Sequence, residues 1–249
     1  MVQESVVVIE QIGLLPTRVA WGRFPQVIVH SSIHKLKSSF GYFTAKRGNH
    51  CTALRIAHAL VKQPRIELPI DFVVPVIQVD QGHYNALPVA LAAVLAKHLG
   101  AKLWLEVCQI NKVNHTGADA LDRLRNQPVF GGPVPTGKCL ICDDVVTFGA
   151  SLANLRGFLV SSGAEVMAAT AIGAAYGSTK LTPESSLIGK LRDRYDRELK
   201  TQTAALGFGC ECLTAREAYF LAGMRNIERV RDCLTQGVGS ANRSRGIRL

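Results

Sequence analysis

No apolar run in the chain is long enough to cross a bilayer. The longest, from Leu87 to Leu95, ends against Lys97 and His98, well short of the roughly 20 residues a spanning helix needs. The N-terminus, MVQESVVVIEQ, has acids where a secretory signal would carry its basic segment. Both absences predict a cytoplasmic protein with no membrane partner. Cysteine is neither dense nor even in number: Cys51, Cys108, Cys139, Cys142, Cys210, Cys212 and Cys233 are scattered over 249 residues, which is not a disulfide framework. A reducing compartment fits. Cys139 and Cys142 have metal-ligand spacing but lie inside an apolar run with no second Cys/His pair at zinc-finger distance. Buried strand cysteines are therefore expected in preference to a zinc or redox site. A self-similar period is also missing, which argues against a repeat array.

What is present is enough for a full core. The chain is 47% hydrophobic and 19% charged, with a mean hydropathy of +0.14, so disorder is excluded as its main state. The net charge of +10 is unevenly spread. Residues 1–70 carry nine basic and three acidic residues, 71–189 eight and nine, and 190–249 twelve and seven. A neutral middle between basic flanks suits a domain that binds a small anion with a metal, and the flanks are either solvated surface or a contact for nucleic acid or an acidic protein.

From Asp71 onward, short β-branched runs alternate with helical stretches, the pattern of a parallel sheet covered by helices. The expected class is α/β, a parallel twisted sheet flanked by helices. Strands are expected over Asp71 to Val79, with Pro75 marking an end or a kink, and over Lys102 to Ile110, Cys139 to Asp143 and Glu165 to Ala174. Helices are expected over Asn85 to His98, closed by Gly100, and over Ser151 to Ser162, stopped by Gly163. The polar segment between Ile110 and Pro133 is long for a connection and reads either as a functional cover or as a surface excursion. Residues 1–70, with β-like runs Val6 to Ile9 and Val27 to His30 and a helix from Thr52 to Lys62, read as a small N-terminal appendage. Residues 71–178 form the core and 179–238 a C-terminal helical extension. In the extension, Thr214 and Glu217 make a capping box and Ile227, Val230 and Leu234 an apolar stripe, and residues 239–249 read as a disordered basic tail. Trp21 and Trp104 read as packing residues.

The segment richest in chemistry is CLICDDVVTFGAS, residues 139–151. An apolar strand ends in two carboxylates, and a short Thr/Gly/Ser loop then opens a helix. Orphan N–H groups and the dipole favour a phosphate at such a helix start, and the carboxylates stand at the strand edge where open α/β sheets bind ligands. Together they ask for a sugar phosphate.

At these residues the sequence resembles the type I phosphoribosyltransferase family, whose signature is an apolar strand, two acids, two apolar residues and a Thr-Thr-Gly-x-Thr/Ser loop. The resemblance implies that Asp143 and Asp144 bind the ribose hydroxyls of phosphoribosyl pyrophosphate (PRPP), with indirect contact to Mg²⁺. It implies that Val146, Thr147, Phe148, Gly149, Ala150 and Ser151 wrap the 5′-phosphate. Phe148 replaces the second Thr, so one hydroxyl is lost and the backbone N–H kept. Upstream, VPVIQVDQGHYN, residues 74–85, is similar to the pyrophosphate loop of the ComF-like branch, implying that role for Gln78, Val79, Asp80, Gln81 and Gly82, although Gln81 stands where that branch has Arg. Lys112 or an Arg of the cover would then supply the missing cation. Thr116, Leu121, Arg125, Asn126 and Phe130 are similar in spacing to that branch's flexible hood, which brings Lys112, His115 and Arg125 near the ligand.

The implied activity is glycosyltransfer in nucleotide metabolism: Mg²⁺-dependent transfer of a phosphoribosyl group to a nitrogenous acceptor with release of pyrophosphate. The resemblance leaves two alternatives, a PRPP- or nucleotide-binding regulator without turnover, to which Phe148 and Gln81 point, and an effector of a mobile-element or defence module. Dimers are common in the family, so a homodimer is expected.

Overall fold

The structure is a computed structural model and describes residues 16–62, 66–80, 83–111, 123–124, 126–193 and 208–224. Its centre is a five-stranded, wholly parallel sheet. The strands are β1 (Ile28–Val29), β2 (Phe72–Pro75), β5 (Lys102–Leu103), β8 (Lys138–Val146) and β9 (Glu165–Ala174), in the order β1-β9-β8-β2-β5. Two short antiparallel pairs stand apart from it, β3 (Val79–Asp80) with β4 (His83–Tyr84) and β6 (Cys108–Gln109) with β7 (Phe130–Gly131). Helices cover both faces, confirming the α/β class.

The central strand β8 alternates its side chains between two cores. Leu140 and Cys142 join a cluster with α3 (His50–Leu60) and α4 (Ala86–Leu99), whereas Cys139 and Ile141 join one with α5 (Ala150–Ser161). This follows from the two-residue period of a strand. It also answers the cysteine question: Cys139 and Cys142 are fully buried on opposite faces and cannot converge on one metal ion. Burial raises both thiol pKa values, that of Cys139 to about 11.

Residues before Asp71 take part in the same sheet and core. Strand β1 pairs with β9 through Ile28 and Thr170, and Leu36, Tyr42, Ala45 and the buried side of α3 belong to the α4 cluster. Helix α4 is capped by the Asn85 side chain and stopped by Gly100 in the left-handed conformation, as its sequence predicts.

The expected strand from Lys102 to Ile110 is instead broken in two. In the β2–β5 ladder Lys102 donates its N–H to Asp71 O and Trp104 to Val73 O, so residue 75 would make the next bond toward β5. That residue is Pro75, which has no N–H, and the chain leaves the sheet after Trp104. It returns at β6, where Gln109 N donates to Ile77 O. On the β8 side it is Val76 N that bonds, to Cys142 O, so Pro75 costs nothing there and β2 can remain central.

Among the described residues no helix is long and apolar enough to cross a membrane. Residues 185–193 are helical, in the expected C-terminal helical extension. The run Val6 to Ile9, residues 194–207 of the expected extension, the stripe Ile227, Val230, Leu234 and the basic tail lie outside the described residues.

Candidate functional site

Strand β8 carries Asp143 and Asp144 near its C-terminal end, and alternation aims them at opposite faces. Asp144 is 5% exposed and meets Lys46 of the short helix α2 (Tyr42–Lys46), Nζ to Oδ2 at 2.8 Å. Burial pulls the Lys46 ammonium pKa down, but the charge and hydrogen bond of Asp144 outweigh it and leave the pKa raised. Asp143 lines the cleft made by the loop after β8, and its Oδ1 accepts from the Asp144 N–H at 2.8 Å. Burial first, then the neighbouring Asp144 charge, pushes the Asp143 carboxyl up to about 8.

The loop Thr147-Phe148-Gly149 turns tightly into α5. Gly149 is the N-cap at φ 80° with no side-chain cap, so the first N–H groups of the helix face the cleft without an internal acceptor. Glycine is required twice over. The positive φ favours it, and a Cβ there would come within 2.5 Å of Leu181 Cδ2.

This loop is fastened from outside by the C-terminal segment. Ser178 Oγ donates to Thr147 O, and Thr214 Oγ1 donates to Phe148 O at 2.6 Å. Thr214 also opens α6 (Ala215–Gly223) with a complete capping box to Glu217, an arrangement worth about 1 kcal/mol. The Phe148 ring stacks edge-on against Phe220, with the Arg216 guanidinium 5.8 Å from its centroid. Where the family signature has a hydroxyl, this chain therefore has an aromatic brace onto α6.

Behind the loop lies a buried polar hub. Arg18 makes a two-pronged pair with Glu217, at 2.6 and 2.8 Å, and donates to Gln127 Oε1 at 2.7 Å and Asn154 Oδ1 at 2.5 Å. Both ionic side chains are 1% exposed. Arg18 reaches them because Thr17 crosses α5 at Gly157, where a Cβ would lie 2.1 Å from Thr17 O. Gln127 Nε2 in turn holds the carbonyls of Arg123 and Leu124. Arg123 Nη1 donates to Thr147 Oγ1 at 3.2 Å, and its side chain lines the cleft with Asp143, Thr147, Gly149 and Ser151.

The structure thus brings Asp143 and the loop from Val146 to Ser151 into one cleft, with Asp144 beside it on the other face. Gln78 bridges to Gln109 at the sheet edge, and Val79 and Asp80 form β3. Gln81, Gly82, Lys112, His115 and Arg125 lie outside the described residues. Sequence reasoning missed Lys46 and the Arg18 hub, and it named an Arg of the cover without singling out Arg123. Arg123 stands two residues before Arg125 in the same basic run, a signal that was available. Nothing local marks Lys46 as the partner of an acid 98 positions on.

No family model matches the chain. It is similar to Protein TraN of Escherichia coli, 29% identical over 224 residues, covering 86% of this chain and 50% of that one. It is also similar to an uncharacterized protein of Haemophilus influenzae, 33% identical over 145 residues, covering 55% of this chain and 32% of that one. The chain thus spans half or less of the length of these curated relatives. Solved structures similar to it include an adenine phosphoribosyltransferase, at 18% identity and TM-score 0.33, covering 51% of this chain and 70% of that one. Another is the orotate phosphoribosyltransferase from Aeropyrum pernix, at 19% identity and TM-score 0.32, covering 60% and 68%. At those scores a superposition carries no assignment, and the functional reading rests on the cleft itself.

Proposed function

We propose that the cleft binds PRPP or a closely related phosphoribosyl ligand, and that the protein transfers the phosphoribosyl group to a nitrogenous acceptor with release of pyrophosphate. The observation that carries this reading is the loop from Thr147 to Ser151. It presents an uncapped helix N-terminus, with the hydroxyls of Thr147 and Ser151 and the Arg123 guanidinium, beside a carboxylate at the strand end. An N-terminal dipole and a guanidinium select a phosphate dianion. The neighbouring carboxylate selects hydroxyl donors, and a ribose 5-phosphate offers both groups on one small frame.

In this reading the 5′-phosphate docks on the amides of Gly149, Ala150 and Ser151, and the Asp143 carboxyl, which burial pushes up to about 8 and which can therefore donate as well as accept near neutral pH, exchanges hydrogen bonds with the ribose hydroxyls. Lys46 neutralises Asp144, so the two adjacent carboxylates do not repel the ligand as a pair. Catalysis rests on positioning and charge neutralisation. Among the described residues no three His, Cys, Asp or Glu side chains converge as a metal cage. The carboxylate oxygens are hard donors that fit Mg²⁺ through water and through the ligand's own oxygens. Asp143 and Asp144 would hold Mg²⁺ indirectly, and the ion would supply charge neutralisation for the departing pyrophosphate. The chemistry and the free thiols suit the cytoplasm.

The test is isothermal titration with PRPP, with and without Mg²⁺, on the wild type and on Asp143→Asn/Asp144→Asn. Metal-enhanced binding that the double variant loses is expected, followed by pyrophosphate release when nucleobases are supplied. Binding without release for any acceptor would support the regulatory alternative, consistent with the Phe148 brace. A folded wild type that does not bind overturns the reading.

A further inference from the structure

We propose that the surface formed by α1 (Ile33–Lys37) and α2 binds single-stranded nucleic acid, with Phe40 and Phe43 stacking on bases and Lys35, Lys37 and Arg47 taking backbone phosphates. This site is distinct from the phosphate-loop cleft and does not depend on the PRPP reading. Three observations converge on it. First, the sequence from Gln11 to Ile66 contains nine Lys and Arg residues and no Asp or Glu, so no acid near in sequence competes with an anionic ligand for Lys35, Lys37 and Arg47. Second, Phe40 is 90% exposed and Phe43 74%. Two phenylalanine rings three positions apart are thus left in water on one surface. Third, Lys35, Lys37, Arg47 and His50 are all exposed around them, and an open depression lined by Phe43, Thr44, Arg47, Gly48 and Asn49 adjoins the second ring.

The chemistry selects the occupant. Rings flanked by cations match a polymer that alternates π-faces with phosphates, and stacking on exposed aromatics needs bases that are not already paired, which excludes a duplex as the preferred form. An interfacial amphipathic helix lays a continuous apolar face along the headgroup boundary, whereas α1 and α2 are five residues each and turn Leu36, Tyr42 and Ala45 inward to the α4 cluster. The scaffold under the rings is firm. Leu36, Tyr42 and Ala45 are buried in the α4 cluster, Tyr42 meets Phe43 edge-on at 5.2 Å, and the Lys46 pair to Asp144 ties α2 to β8. The rings are therefore presented in place before any ligand arrives, which lowers the ordering cost of binding.

The test is fluorescence anisotropy of labelled oligo(dT), about 20 nucleotides long, with the full chain across about 50 to 200 mM salt. Binding that weakens with salt is expected. Phe40→Ala/Phe43→Ala should lose about tenfold or more in affinity and Phe40→Tyr/Phe43→Tyr should retain it. Lys35→Ala/Lys37→Ala/Arg47→Ala should flatten the slope of log K against log salt by about 2. All these side chains are exposed, and an unchanged circular dichroism melt verifies the fold. The proposal is overturned by no binding at the lowest salt, by unchanged affinity in the alanine pair, or by equal competition from a duplex of the same length. It is equally overturned if the alanine pair instead dissociates a dimer in sedimentation or abolishes binding to anionic phosphatidylglycerol vesicles while leaving oligo(dT) untouched, which would assign the rings to a second copy or to lipid.

Discussion

Asp143 and Asp144 are adjacent in the chain but belong to opposite faces of the sheet, and the two faces are built by different means. On the Asp143 face, the loop into α5 is held by Thr214, Ser178, Leu181 and Phe148, and behind it the buried Arg18 hub joins four distant parts of the chain. On the Asp144 face, a helix of five residues carries Lys46, which reaches the carboxylate, and the outer surface there leaves two phenylalanines in water. A site for a phosphate must hold several N–H groups in fixed positions, and only a face over-determined by packing and buried hydrogen bonds does so. The α2 face has a simpler task, which is to neutralise one acid and present side chains outward. Buried hydrogen bonds are concentrated where geometry selects the ligand.

The sharpest way to break this contrast is to remove one cation from each face. Arg18→Ala leaves Glu217 buried without its partner and strips Asn154 and Gln127 of a donor, and should cost about 3–5 kcal/mol in urea denaturation. Lys46→Ala removes a side chain that is itself 37% exposed, so only the unsatisfied Asp144 counts, at about 1–3 kcal/mol. Equal losses would show that the faces do not differ as described.

A finer probe is pH. The folded Asp143 carboxyl titrates near 8, above its ordinary value of about 4, so the native state binds the extra proton between those limits. Its contribution is fully present below about pH 4 and is lost as pH rises toward 8. Relative to Asp143→Asn, the wild type should therefore lose stability across that window, read as a falling urea midpoint. Because the Lys46 charge restrains this shift, the decline should continue to higher pH in Lys46→Ala. A wild type that gains stability over the same range would place Asp143 in a solvated or cation-paired setting.

How much of this could be read from the sequence depended on distance along the chain. Strand β9 falls on Glu165–Ala174 as its β-branched run predicts, α4 has its Asn85 cap and Gly100 stop, and Thr214 with Glu217 makes its box. Each of these signals is local. The acid pair and the loop from Val146 to Ser151 were legible for the same reason, since strand, carboxylates, glycine and helix start are contiguous. The break in the Lys102 to Ile110 run was not legible, because its cause is a missing N–H on Pro75 of the neighbouring strand. The Arg18 hub was hidden more deeply. Its partners lie 109, 136 and 199 positions away, and nothing in the residues around Arg18 distinguishes it from a solvated surface cation.

The most direct measurement is a titration of the isotopically labelled protein with ribose 5-phosphate, followed through its backbone amide resonances. The account predicts saturable shifts concentrated at Phe148, Gly149, Ala150 and Ser151, with the amides around Phe40 and Phe43 unmoved. Shifts confined to the basic α1–α2 surface, or none at all in a folded protein, would contradict the assignment of the loop after β8 as a phosphate site.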